Sequence, residues 1–218
     1  MGKNLRTQFT EYMTLNRYSP VTIQHYLDIV KRLAQHFNKS PDLITQEEIQ
    51  EYLLYLYQEK KLAWGTCNAN LSGISCFYKN VLKWDERKFS LPPRPRTKKL
   101  PNILSVEEVK KLFEAAPSLK HRVLLKTVYS AGLRIGEAVK LKPIHIESDP
   151  SRMMIRIENA KGGKDRYAVL SKHLLDELRV YWLEYKPLKW LFPGVNQEKH
   201  IGYTAARDGF NKAKKKPV

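Results

Sequence analysis

The stretch SAGLRIGEAVKL, residues 130–141, decides the fold. Gly132 follows a run with helical period and is the residue type that ends a helix without a Cβ penalty. Pro143, just past the stretch, stops whatever begins at Arg134. Only a short helix fits between them, Arg134 to Leu141. It sets Arg134 and Glu137 at i,i+3 spacing, where a guanidinium and a carboxylate can meet. Two helix stops this close together mark a region that is no longer all helix.

Working outward from there, the residues before Gly132 read as two helices. Ser105 and Glu108 form a capping box opening a helix with Val109, Leu112, Phe113 and Ala116 inside, and a second runs from His121 to Ala131. On the other side, SDPS at 148–151 is turn chemistry and MMIRIE at 153–158 is β-branched enough for a strand. Lys161, Gly162, Gly163 and Lys164 read as a hairpin turn into a second strand, Arg166 to Leu170. Ser171 then caps a helix expected to bury Leu174, Leu175, Leu178, Trp182 and Tyr185; LFPG at 191–194 is a turn before a last helix from Tyr203 to Ala213. Residues 102–218 are therefore expected to be an α+β domain.

Residues 1–86 read differently, as a bundle of amphipathic helices. Ser19 caps and Pro20 starts a helix carrying Ile23, Tyr26, Leu27, Val30, Leu33, Ala34 and Phe37 inward, with Lys31 and Arg32 off the stripe. A capping box at Thr45 and Glu48 opens a second, and a third begins near Thr66. A short helix before Tyr18 would complete the bundle. Between the two regions lies RKFSLPPRPRTKKLP, residues 87–101, in which prolines bar helix and basic residues alternate with them. The expected class is thus mainly α with a small β hairpin, a helical bundle joined by a basic linker to the α+β domain.

The charge balance narrows the function. Across 218 residues, 39 Lys+Arg against 22 Asp+Glu give +17, which calls for a polyanionic partner. A membrane surface is the weaker choice, because no apolar stretch approaches the roughly 20 residues of a spanning helix and the first residues lack a signal-peptide core. Nucleic acid is the stronger one. An extended basic arm can follow a phosphate backbone, so Arg94, Arg96, Lys98 and Lys99 are candidate phosphate contacts, with Lys31, Arg32, Lys164 and Arg166 beside them. A solvated hinge is the weaker alternative for the linker. Aromatic residues lie on helix stripes and offer no stacking platform for single-stranded RNA. Cys67 and Cys76 have neither zinc nor disulfide spacing, and the six histidines are too scattered for a metal, so no metal or cofactor is expected and the default compartment is a reducing cytoplasm.

In combination these segments resemble the tyrosine recombinase, or phage-type integrase, family. SAGLRIGEAVKL, the KGGKDR turn, the strand ending in Leu and the LFP motif are similar to the first half of that family's catalytic domain. SPVTIQHY, the Pro-rich basic linker and ILSVEEVKKLF are similar to its core-binding domain and interdomain junction. The resemblance implies that Arg134 is a catalytic arginine holding the nonbridging oxygens of a scissile phosphate, that Glu137 orients it, and that Lys161 is the general acid toward the departing 5′ oxygen. Taken alone, Arg134 and Glu137 would read as a surface ion pair and Lys161 as an exposed turn residue.

The family's second half supplies a His-x-x-Arg motif and a tyrosine nucleophile. None of His25, His36, His121, His145, His173 and His200 has Arg three positions later, and Tyr203, the last tyrosine, lies upstream of where the nucleophile belongs. No nucleophile is therefore assigned. The expectation is a recombinase chain truncated before its site is complete, binding double-stranded DNA and other recombinase subunits. The alternative is an inactive competitor or regulator at recombination sites.

Overall fold

The computed structural model describes residues 4–84, 89–94, 102–158 and 164–215. The chain divides into two compact units, Met1–Leu100 and Pro101–Val218, each with its own core.

In the first unit, α1 (Leu5–Leu15) is capped by Asn4 and buries Phe9 and Met13, one turn apart. It is longer than the short helix expected there. Ser19 and Pro20 open α2 (Pro20–Phe37), which ends at Asn38 in the left-handed conformation, φ 49°. The expected capping box is present in α3 (Gln46–Leu54), with Thr45 and Glu48 each satisfying the other's backbone N–H. That helix continues through a π turn, Tyr55–Glu59. The central element is α4 (Trp64–Asn80), uncharged from Trp64 to Tyr78 and buried at Cys67, Ile74, Phe77 and Tyr78. Gly73 lets α2 approach closely, since a Cβ there would lie 3.0 Å from Ile29 Cδ1. Tyr78 donates to the Pro41 carbonyl at 2.6 Å, and burial pushes its phenol well above the usual range.

Past α4 the chain returns over this bundle. Phe89 enters the core and Leu91 packs at its edge, so residues 89–94 are laid against the first unit.

The second unit is α+β. A capping box at Ser105 and Glu108 opens α5 (Val106–Glu114), and Ser118 caps α6 (Leu119–Ser130). Gly132, at φ 59°, makes the turn into α7 (Ile135–Ala138). A helix from Arg134 to Leu141 was expected. Only four residues are helical, and Arg134 precedes them in extended conformation, φ −72° and ψ 145°. The chain then forms an antiparallel sheet of order β1 (Ile146–Glu147), β2 (Met154–Ile157) and β3 (Arg166–Val169) among the described residues. The two longer strands were expected; β1 was not. Ile155 pairs with Ala168 and Ile157 with Arg166, which turns Ile155 and Ile157 into the core.

The sheet and α6 share a core with α8 (Lys172–Tyr185), where Leu174, Leu175, Leu178 and Tyr181 are buried. Trp182, expected inside, is 47% exposed, and Tyr185 is also at the surface. Tyr181 takes the inward place because its hydroxyl donates to the Leu191 carbonyl at 2.9 Å and its ring lies 5.5 Å from Phe192. The closing helix, α9 (Tyr203–Lys215), faces inward with Ala206, Gly209 and Ala213. A Cβ on Gly209 would come within 2.2 Å of His121 Cδ2, so that contact admits only glycine without rearrangement.

Candidate phosphate site and nucleic-acid interface

Three residues of the second unit converge at the α6–α7 turn. Leu133 is buried and anchors the turn, which leaves Arg134 at the mouth of α7 and Glu137 at its third position. Glu137 Oε2 accepts the Arg134 backbone N–H at 2.9 Å, and Oε1 accepts Arg134 Nη1 at 2.9 Å. Arg166 Nη2, arriving from β3, donates to Oε2 at 2.8 Å. The Glu137 side chain is 8% exposed, against 62% for Arg134 and 36% for Arg166. Burial by itself would raise the Glu137 pKa. The Arg134 N–H and the two guanidinium groups outweigh it and hold the carboxyl below its usual range. The carboxylate thus fixes the direction of Arg134 while most of that side chain stays exposed. Such a group can grip an oxyanion with two parallel N–H bonds.

A second carboxylate hub lies at the end of β2. Glu158 receives Arg156 Nη2 at 2.6 Å and Lys142 Nζ at 3.2 Å, with His145 Nε2 at 3.3 Å. His145 is almost fully buried, and its Nδ1 accepts the Lys142 backbone N–H at 3.3 Å. Burial lowers its pKa, helped by Lys142 and Arg156, with Glu158 pulling the other way. Glu137 of the first hub and Lys142, His145 and Glu158 of the second line one cleft of about 160 Å³, together with Lys140 and Trp190.

The remaining candidates are placed as follows. Lys31 and Arg32 are exposed on α2, and Lys164 is exposed before β3. Arg32 also lines an open cleft with Gln35, Tyr55, Lys60 and Thr66. Arg94 is exposed, with its Cζ 5.7 Å from the Trp64 ring centroid. Lys161, Arg96, Lys98 and Lys99 lie outside the described residues. Among the described residues no group of His, Cys, Asp and Glu is arranged to hold a metal, and no helix is long and apolar enough to cross a membrane.

Sequence reasoning found the Arg134 and Glu137 pair because the two lie one turn apart. It did not foresee that Arg166 shares the same carboxylate, nor that Glu158 gathers two cations, Lys142 and Arg156, and the buried imidazole of His145. Those contacts join residues on different elements, and no local spacing signals them.

Comparison with known proteins agrees with this architecture. Residues 5–86 match the family described as phage integrase, N-terminal SAM-like domain, and residues 102–217 match the phage integrase family. A putative integrase/recombinase, y4qK of Sinorhizobium fredii, is 41% identical over 210 residues, covering 96% of this chain and 66% of that protein. Tyrosine recombinase XerA of Thermococcus kodakarensis is 30% identical over 179 residues, covering 80% of this chain and 60% of that one. The chain therefore spans about two thirds or less of the length of these relatives. A lambda integrase tetramer bound to a Holliday junction shares the fold with a TM-score of 0.73 at 15% identity, covering 97% of this chain and 62% of that one. With one family match spanning more than half of its residues, the chain belongs to the phage integrase family of tyrosine recombinases.

Proposed function

We propose that the chain works in site-specific DNA recombination, binding double-stranded DNA and gripping the phosphate at which a strand is cut. The observation that carries this reading is Arg134, exposed yet aimed by the buried carboxylate of Glu137. Attack by a nucleophilic oxygen on that phosphorus breaks the bond to the 5′ oxygen. Arg134 stabilises the charge gathering on the nonbridging oxygens, and Lys161 delivers a proton to the departing oxygen. Residues 1–86 serve as the core-binding domain, 87–101 as the basic linker and 102–218 as the catalytic domain. Lys31, Arg32, Arg94, Arg96, Lys98, Lys99, Lys164 and Arg166 contact DNA, where other recombinase subunits join it. No cofactor enters, and the prokaryotic cytoplasm or nucleoid is the place of action.

A second reading, occupation of recombination sites without cleavage, draws on the spacing of the six histidines, none of which has Arg three positions on. Two experiments test both. Affinity of the 218-residue chain for duplex DNA should fall steeply with salt, each neutralised phosphate adding roughly −0.9 to the logarithmic slope; a flat response sinks the DNA-binding claim. A nicked suicide substrate should yield no covalent adduct with this chain alone, because these residues supply phosphate-holding groups rather than the nucleophile. A tyrosine-linked adduct would remove the second reading and assign the nucleophile.

A further inference from the structure

Residues 89–94 pass beyond the core of the first unit without leaving its surface. Phe89 is buried in that core and Leu91 packs at its edge, while polar contacts hold the backbone of the segment. Gln50, on α3, takes hold of Ser90 twice: the Ser90 N–H donates to Gln50 Oε1 at 2.8 Å, and Gln50 Nε2 donates to the Ser90 carbonyl at 3.1 Å. Two residues on, Trp64 Nε1 donates to the Pro92 carbonyl at 2.8 Å. The face of the same indole supports the guanidinium of Arg94. Pro92 and Pro93 fix φ between these anchors, so the segment has little freedom to lose.

This arrangement does more than connect two units. A side-chain amide pairing with both backbone groups of one residue acts like a rung of a sheet, and it orders exposed backbone that contributes nothing to the core. The last of these anchors carries a cation, Arg94. Resting on an aromatic face, a guanidinium keeps its in-plane N–H donors available, and those donors match phosphate geometry.

We propose that Gln50 and Trp64 are positioning residues which hold this strap in place, so that Arg94 meets a DNA phosphate from a preset position. The proposal rests on the DNA-binding reading above. Preorganisation removes from binding the cost of ordering the strap. Both positioning residues should then matter to DNA affinity although neither is charged.

The test uses the full chain, a duplex of arbitrary sequence at several salt concentrations, and hydrogen exchange at the Ser90 amide. Gln50→Ala and Trp64→Leu should each speed Ser90 exchange and weaken duplex binding by about twofold to threefold. Adding Arg94→Ala to either variant should cost little more than Arg94→Ala alone, since both act through Arg94. Trp64→Phe, which keeps a ring beneath the guanidinium, should retain more affinity than Trp64→Leu. Gln50 is only partly buried and lies outside the apolar core, so Gln50→Ala gives the answer even if Trp64→Leu disturbs the bundle. Faster Ser90 exchange with unchanged affinity would overturn the proposal, as would fully additive losses. A wild-type chain whose binding ignores salt would instead defeat the DNA reading on which it rests.

Discussion

Arg94 and Arg134 both present a guanidinium to solvent, and the two regions hold it by opposite means. In the first unit the support is an indole face, which bears no charge and takes none of the guanidinium's positive field. In the second it is a buried carboxylate, which directs the group through a charged hydrogen bond but cancels one of the two positive charges gathered there. The first arrangement favours long-range attraction to a polyanion; the second favours aim. The strap is thus suited to affinity and the α7 turn to orientation of a particular phosphate.

The comparison breaks most visibly if affinity does not come from the basic segment. Replacing Arg94, Arg96, Lys98 and Lys99 together by Ala should lower duplex affinity by about 100-fold at moderate salt and flatten the salt slope by roughly 3.6. Titrations of the variant at several salt concentrations read both quantities. An unchanged slope would make the segment a hinge rather than a contact.

Glu137→Ala should give the next largest effect, on stability instead of affinity. It leaves the half-buried Arg166 without its carboxylate and removes the acceptor for the Arg134 N–H, costing the second unit about 2 kcal/mol. Glu137→Gln keeps an acceptor oxygen and should cost less. Differential scanning calorimetry of the full chain would show the difference, and equal midpoints for wild type and Glu137→Ala would mean that the carboxylate supports nothing. Arg134→Ala, by contrast, should change duplex affinity no more than about threefold, since on the function proposed it removes a single phosphate contact out of many. A loss larger than that of the fourfold neutralisation would reverse the roles given to the two regions.

The parts of this molecule that could be read from sequence are those settled within one or two turns of chain. The capping boxes at Thr45 and Ser105, the Ser19 and Pro20 start, the Gly132 stop and the Arg134 and Glu137 pair each depend on neighbours at most four residues away. The rest depends on packing partners far along the chain. On α8, Tyr181 and Trp182 both continue an apolar stripe, and helical period alone does not choose between them; the Leu191 carbonyl and Phe192 ring do. β1 is two residues long and exists only because Ile146 and Glu147 find Ile155 and Met154. The same holds for the site: Arg166 meets Glu137 across 29 residues, and Gln50 meets Ser90 across 40.

The smallest effect, and the one that separates the two regions most finely, is their response to acid. In the second unit His145 and His121 are both kept neutral by burial, the first facing Lys142, Arg156 and Glu158, the second Lys120 and Lys212. Their folded pKa values are depressed, so as pH falls through about 6.5 the unfolded chain takes up protons that the folded unit does not. Stability of the second unit should therefore decline from about pH 6.5 downward. Glu137 adds a later loss: its pairing stabilises the fold above the ordinary carboxylate value near 4.3, and that contribution disappears as the pH drops through its lowered folded value. Nothing comparable attends the strap, because neither the Trp64 indole nor the Gln50 amide titrates. Hydrogen exchange at pH 7 and at pH 5.5, corrected for intrinsic rates, should show protection lost in residues 119–130 and 146–157 while the Ser90 amide keeps its protection. Replacing His145 by Gln and His121 by Asn should flatten that loss. If Ser90 opened in step with the second unit, the strap would depend on a titrating group, and the contrast between an aromatic and a carboxylate support would fail at its chemical root.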